Sequence, residues 1–485
     1  VADGEDDTLR GGLGDDTLVA DATFLIAEAD GGDGVDVLDL SGVAFALTVD
    51  LREGGGVSGD SLNGTVDRVE RVRGGQAGDT LFANAEADTT LEGGGGGDSI
   101  VGLIGADLLD GGAGADTLAG GSGDDTLVGG DGADSIVGGA GVDVLDYRSE
   151  GGPNGVVVDL FSGPAVDSFG NADTIVGGFG DDTTLAVEVV LGSENGDAIT
   201  ANAPGSTLFG FGGADTLLGL TSDDSLDGGD GGDTIAGASG ADTLLGGPGA
   251  DTLNGEGGID LAVFDEEGIT QGANVDLATG VAVDGFGDTD VVSEVEQVDG
   301  TGFDDTLIGD GFANTLTGAG SDDFISGGGG NDLLDGGAGI DTLSFADDPS
   351  GVDVNLDFGP VIDGFGGVDT VTGFEVLEGS AFSDELAAPG TESSTLFGLD
   401  GEDALRGGQS DDSLEGGEGD DFLIDDDVTG SDTLRGGLGD DAIESAGGSN
   451  LVDGGEGQDD AQYRVPLLSG GITVNNTIVA GNGVA

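Results

Sequence analysis

Residues Gly93 to Asp146 read GGGGGDSIV, GLIGADLLD, GGAGADTLA, GGSGDDTLV, GGDGADSIV and GGAGVDVLD, six nonapeptides with no residue inserted or lost between them. The unit is GGxGxDxUx, with U a large aliphatic residue. Glycines at the first, second and fourth places are expected to let the backbone take positive φ and turn sharply, which side chains with a Cβ resist. The last three residues, as in Asp116-Thr117-Leu118-Ala119, set one aliphatic between β-formers and predict a very short strand with a single inward side chain. One nonapeptide cannot bury its aliphatic. Two make a coil of eighteen residues with a strand on each side, and stacked coils bury a continuous file. The expected fold class is all-β, a solenoid.

Register follows from the alternation of units between the two sides. Ile100, Leu118 and Ile136 should line one sheet and Leu109, Leu127 and Leu145 the other. The aspartates separate likewise: Asp98, Asp116 and Asp134 along one edge, Asp107, Asp125 and Asp143 along the other, at about 4.8 Å per coil. Carboxylates that close repel strongly unless a cation lies between them. Ca2+ suits the donors, since it takes six to eight oxygens from carboxylates and the carbonyls that Gly-rich turns expose, whereas Mg2+ demands stricter octahedral geometry. These nonapeptides resemble the calcium-binding repeats of the RTX (repeats-in-toxin) family. The resemblance implies a parallel β-roll with multiple Ca2+ ions between successive turns on each edge.

Composition narrows the function. With 99 acidic and 9 basic residues the net charge is -90, which opposes compaction unless counterions are bound specifically. A metal-free chain of this kind should stay disordered. All nine basic residues are scattered arginines, so nucleic acid and anionic membrane surfaces are excluded as electrostatic partners. No apolar run approaches the roughly 20 residues of a membrane span, so no membrane insertion is expected. Without His, Cys or Lys there is no catalytic triad, zinc-protease motif, P-loop or Schiff base, and no disulfide. Paired carboxylates alone remain, and with no Trp and only Tyr147 and Tyr463 the chain lacks sugar-stacking platforms. It is read as a non-enzyme. The start at Val1 and the absence of Met suggest a fragment or a processed product.

Along the chain the motif aspartates are the candidate calcium ligands. They are Asp7, Asp16 and Asp36; Asp79, Asp98, Asp107, Asp116, Asp125, Asp134 and Asp143; Asp182; Asp197, Asp215, Asp224, Asp233, Asp242, Asp251 and Asp260; Asp305, Asp323, Asp332, Asp341 and Asp384; and Asp403, Asp412, Asp421, Asp432, Asp441 and Asp459. Asn314, Asn450 and Ser206 replace aspartate and should weaken or empty their sites. The expected organisation is calcium repeats over 1–40, β-roll over 74–146, 192–263, 300–344 and 379–462, and spacer modules over 41–73, 147–191, 264–299 and 345–378. Residues 463–485 are either an edge strand, a disordered end or the truncated start of a next domain. Spacers share a VxVDL-like strand and an acidic Gly/Phe turn, DSFG at Asp167 and DGFG at Asp284 and Asp363. They resemble the spacers of large RTX surface proteins, and the residues favour reading them as wider coils without ligands of their own. Glu188, inside the second spacer, reads as a surface carboxylate.

The leading functional expectation is a secreted, calcium-binding β-roll that folds on binding Ca2+, a structural or adhesive region of a larger RTX-like protein. It would be extracellular, with an unidentified cell-surface or matrix ligand, and the resemblance implies the type I secretion apparatus as a partner. The alternative is the non-catalytic repeat region of a secreted RTX enzyme, a protease, lipase or epimerase, whose catalytic domain lies elsewhere. A third reading is a ligand-binding face, since Thr216, Thr234 and Thr252 lie eighteen apart and should form an outward ladder.

Overall fold

The computed structural model describes residues 7–485 apart from 22–25, 53–54, 60–62, 86, 162–163, 176–186, 202–204, 357–360, 389, 391–392, 427–429, 464–476 and 480–485. All regular elements among the described residues are strands. The chain divides into two units, Val1–Asp260 and Leu261–Ala485, and each is a parallel β-solenoid.

In the first unit, strands Ser99–Ile104, Thr117–Ser122 and Ser135–Ala140 stack in parallel on one side of the coil. Leu108–Ala113, Thr126–Asp131 and Val144–Asp146 stack on the other. The register is the one the eighteen-residue period requires: Ile100 pairs with Leu118 and Leu118 with Ile136, Leu109 with Leu127 and Leu127 with Leu145. All six side chains are fully buried. In the second unit Leu307, Ile325 and Leu343 form the same kind of file, as do Leu396, Leu414, Leu434 and Val452. Each nonapeptide thus contributes one buried aliphatic, worth about 1.5–3 kcal/mol. The core is one side chain wide, and buried aspartates flank it.

The three glycine places do different work. At the second and fourth places φ is positive: 93° and 148° at Gly112 and Gly114, 115° and 120° at Gly121 and Gly123. Several side chains at the second place keep that conformation, with φ of 74° at Leu103, 73° at Phe211, 77° at Ala238 and 64° at Glu256. The first place corrects the expectation, since Gly102, Gly111, Gly120 and Gly129 do not have positive φ. What it needs is space. A Cβ on Gly111 would sit 2.6 Å from Asp116 Oδ2 and 2.6 Å from the carbonyl oxygen of Gly129 in the next coil. The second place therefore tolerates side chains in the very units where the first remains glycine.

The spacers are not wider coils. In the second spacer Val157–Asp159, Pro164–Val166 and Ala172–Ile175 form an antiparallel meander. Its last strand pairs in parallel with the preceding coil strand Ser135–Ala140, and its first with the following one, Ala198–Thr200. The fourth spacer repeats this with Asp353–Asn355, Val361–Ile362 and Val368–Thr372, joined in parallel to Glu385–Ala387 and to Leu333–Asp335. Three strands replace one on a single side, so the parallel ladder continues across the insertion. Near the end of the chain Thr477–Val479 pairs in parallel with Leu451–Glu456.

Candidate metal centre

Each motif aspartate lies at the corner where a turn enters a strand, two residues before the buried aliphatic. Its backbone is committed to the following coil and its side chain to the preceding one. The carbonyl of Asp98 accepts the N–H of Thr117 at 2.8 Å, and the N–H of Asp98 donates to the side-chain Oδ1 of Asp116 at 2.6 Å. Asp116 donates in turn to Asp134 at 2.7 Å. One carboxylate oxygen per aspartate therefore serves the fold as a substitute backbone acceptor.

These bonds join the candidates into files. In the first unit the files are Asp16, Asp36 and Glu70; Asp79, Asp98, Asp116, Asp134 and Asp173; and Asp107, Asp125, Asp143 and Glu188. They continue as Asp197, Asp215, Asp233 and Asp251, and as Ser206, Asp224, Asp242 and Asp260. In the second unit they are Asp305, Asp323, Asp341 and Glu375; Asn314, Asp332 and Asp369; Asp384, Asp403, Asp421, Asp441 and Asp459; and Ser394, Asp412, Asp432 and Asn450. Apart from half-buried Asp16 and Asp459, these motif aspartates are buried. Asp182 lies outside the described residues. Asp7 opens the strand Asp7–Leu13, but its side chain also lies outside what is described.

The second carboxylate oxygen is the chemically open one. Oδ2 of Asp98, Asp107, Asp116, Asp125, Asp134 and Asp143 is buried with no hydrogen-bond partner, as it is at Asp215, Asp224, Asp233, Asp242, Asp323, Asp403, Asp421 and Asp441. These oxygens converge with backbone carbonyls. Asp107 Oδ2 and the carbonyl oxygen of Gly120 lie 2.7 and 2.5 Å from the point where Gly102 would carry a Cβ, and Asp233 Oδ2 and Gly246 O lie 2.5 and 2.7 Å from the equivalent point at Gly228. No protein cation answers them. Among the described residues the arginine ion pairs run to Glu28, Asp30, Asp33, Asp50, Asp67, Glu92, Asp146, Glu415 and Asp426, none of which is in a file. Burial therefore pushes the carboxyls of Asp98 and Asp107 up to about 7 and those of Asp116, Asp125 and Asp134 up to about 6. The N–H received by Oδ1 pulls the other way, and neighbouring carboxylates add to the rise. Orphaned, buried, all-oxygen donors alternating with carbonyls fit a hard cation such as Ca2+, which when bound would supply the positive charge the site lacks.

The files are not uniform. At the first coil after each spacer the carboxylate is satisfied by its own turn: Asp197 accepts the N–H and hydroxyl of Ser193 at 2.6 and 2.9 Å, Asp305 those of Thr301 at 2.6 and 2.8 Å, and Asp384 those of Ser380 at 2.6 and 2.8 Å. Asp79 accepts the Gly75 N–H at 2.7 Å. Asp412, inside a roll segment, likewise accepts the Gly408 N–H at 2.6 Å, and in these five aspartates the second oxygen is already taken. Asn450 shows what the open position wants. Its Oδ1 takes the Asp432 N–H at 3.0 Å, while Nδ2 donates to Asp425 Oδ2, Ser445 Oγ and Gly447 O at 2.6, 2.9 and 3.0 Å. A donor group occupies the place of the missing carboxylate oxygen.

Sequence reading missed the residues that carry the files across the spacers: Glu70, Asp173, Glu188, Asp369 and Glu375. Glu188 is not a surface carboxylate, since its Oε2 accepts the N–H of Asp143. The signal was present, because each lies two residues before a strand aliphatic, as in Glu188-Val189-Val190, and Asp369 even follows Gly364 and Gly367 at the repeat's own first and fourth places. A parallel set of exposed fifth-place aspartates was also missed, in which Asp124 accepts the Val142 N–H at 2.9 Å and Asp223 that of Ala241 at 2.8 Å. Thr216, Thr234 and Thr252 are in register and exposed, three rungs deep.

The family model of the RTX calcium-binding nonapeptide repeat matches residues 1–22, 73–109, 92–127, 119–149, 167–183, 209–244, 227–262, 299–334, 308–343, 390–423 and 428–461, more than half of the chain. No curated protein matches it.

Proposed function

This chain belongs to the RTX calcium-binding nonapeptide repeat family, and on that premise we propose that it is a secreted β-roll that folds on binding Ca2+ and serves as a structural or adhesive region of a larger protein. The observation that carries the reading is the stacked file of buried, unpartnered Oδ2 atoms. Without a cation the fold buries carboxylates at a cost; with one, metal-binding free energy becomes folding free energy. The chain's own part is to hold each Oδ1 by a backbone N–H, keeping Oδ2 aimed at the next coil's carbonyl.

Extracellular calcium modules bind at about 10⁻⁴ to 10⁻³ M, far above the range of cytosolic sensors. A chain with this charge would stay unfolded inside the cell and fold outside, which suits export as an unfolded polypeptide through the type I route. Absence of cysteine fits, since no oxidation step is needed. Far-ultraviolet circular dichroism against free calcium tests this. The expected midpoint lies between about 10⁻⁴ and 10⁻² M, with little β-signal in chelator and much weaker folding by Mg2+. Full folding below about 10⁻⁶ M calcium, or an equal signal in chelator, overturns the reading.

A further inference from the structure

The acidic Gly/Phe turn of the spacers belongs to no file, yet it packs against one. In the second unit ligand oxygens of Asp332, Asp363 and Asp369 all lie within 4.8 Å of one another. The three residues are 2, 3 and 2% exposed. Each has one oxygen tied to backbone: Asp332 Oδ1 accepts the Asn314 N–H at 2.9 Å, Asp369 Oδ1 the Asp332 N–H at 2.9 Å, and Asp363 Oδ1 the Gly367 N–H at 2.6 Å. Oδ2 of Asp332 and of Asp363 is buried and unpartnered.

The first unit contains a related arrangement in which the turn carboxylate is already satisfied, since Asp167 Oδ2 accepts the Asn171 side-chain amide at 2.9 Å and the Gly132 N–H at 3.4 Å. Asp134 donates to Asp173 Oδ1 at 2.9 Å, as Asp332 does to Asp369, and Asp167 Oδ1 accepts the Asn171 N–H at 2.7 Å, as Asp363 does that of Gly367. Oδ2 of Asp134 and Asp173 is unpartnered, and Asp167 is 0% exposed. Here Tyr147, fully buried with its hydroxyl unpartnered, lies within the field of Asp173, Glu150, Asp167 and Asp134.

We propose that the spacer turn of the second unit supplies a third carboxylate to a hard-cation site where spacer and roll meet, built from Asp363 together with Asp332 and Asp369 at the end of their file. Three carboxylates and no nitrogen or sulfur ligand select a calcium-like ion over zinc. Such a site would pin the antiparallel insert to the parallel ladder, giving the spacer a metal requirement of its own. The inference depends on the proposed function only in needing a chain that folds with calcium.

Phe345, 3% exposed and four residues after Asp341 as Tyr147 is after Asp143, is the place for a reporter. The chain has no Trp and two Tyr, so in a background carrying Tyr147→Phe, Tyr463→Phe and Phe345→Tyr, Tb3+ luminescence excited through tyrosine reports only ions near position 345. The folded full chain should show sensitised emission. Asp363→Asn, which keeps an oxygen to accept the Gly367 N–H but removes the charge, should raise the Tb3+ concentration for half-maximal emission at least about tenfold. Asp322→Asn, at an exposed fifth place outside the files, should leave it unchanged. Dichroism of the same samples in calcium separates the two hypotheses, since loss of folding in the parent protein defeats the proposed function. No sensitised emission from a folded parent, or an unaltered titration in Asp363→Asn, overturns the spacer site. Should Asp363→Asn not fold, Asp369→Asn, which keeps the acceptor for the Asp332 N–H, must weaken the emission in the same way.

Discussion

The N–H of Asp143 donates to Oε2 of Glu188 at 2.9 Å across forty-five residues of chain. In the coils before it the same bond is made between aspartates eighteen residues apart, as from Asp125 to Asp143 at 2.9 Å. The longer glutamate side chain takes over the acceptor's role where the spacer delivers its strand. Burial pushes its carboxyl up to about 7, with the N–H of Asp143 opposing and the Asp143 charge adding.

Glu188→Gln should therefore behave as a file mutation. It keeps the acceptor and removes the charge, and is expected to raise the calcium midpoint severalfold, about as much as Asp116→Asn. Asp124→Asn, at an exposed fifth place, should leave the midpoint unchanged. Calcium titrations followed by dichroism compare the three, and a Glu188→Gln midpoint equal to that of Asp124→Asn removes Glu188 from the file.

Asn and Ala at one position should separate the two tasks of the aspartate. Asp116→Asn retains the acceptor for the Asp98 N–H, so at saturating calcium its thermal stability should stay near that of the parent. Asp116→Ala also orphans a buried N–H and should cost about 1–3 kcal/mol more. Thermal melts at high calcium decide, and identical melts for the two variants contradict the acceptor role.

The two leading glycines should differ in tolerance. A Cβ at Gly102 would lie 2.5 Å from Gly120 O and 2.7 Å from Asp107 Oδ2, so Gly102→Ala should cost about 1–3 kcal/mol through overpacking and weaken calcium binding. Leu103 already holds φ at 74°, and Leu103→Ala should cost less than about 1 kcal/mol. Equal losses for both variants contradict the assignment of the first place to carboxylate space.

Acid should favour the metal-free fold. The carboxyls of Asp98, Asp107, Asp215 and Asp224 rise to about 7, chiefly through burial, so the folded state holds protons that the unfolded chain has released. Stability from this source is fully present below about pH 4, the unfolded value, and is lost as pH rises through about 7. In chelator, β-signal should grow as pH is lowered from 8 to 5. In calcium, the midpoint should rise over the same interval because protons compete for Oδ2. A chelated chain with no gain in β-signal by pH 5, checked for monomeric state by sedimentation, contradicts the buried-carboxylate account.

The hydroxyls of Ser193, Thr301 and Ser380, at the start of three roll segments, should act on stability rather than on metal. Thr301→Val removes the 2.8 Å donation to Asp305 Oδ1 and should destabilise the calcium form by about 1–2 kcal/mol. Its calcium stoichiometry by equilibrium dialysis should match that of the parent.

The period of nine, with one aliphatic and one aspartate per unit, was sufficient by itself to determine the coil, the parallel register of Ile100 over Leu118 and Leu109 over Leu127, and the gathering of aspartates into files. A one-residue slip would turn every aliphatic outward, so periodicity alone leaves no other register. Tertiary structure decided what a single unit cannot express. Whether an aspartate is open or already satisfied depends on how its own turn folds, notably where the chain leaves a spacer, which separates Asp305, held by Thr301 in its turn, from Asp323, whose Oδ2 has no partner. Whether Glu188 and Asp369 join a file depends on where a meander of antiparallel strands returns the chain, and the first glycine proved to serve its neighbour's carboxylate rather than its own φ. Local sequence encodes backbone preference and burial. The backbone N–H that each file Oδ1 accepts comes from a coil eighteen or more residues away, and only the folded stack brings it there.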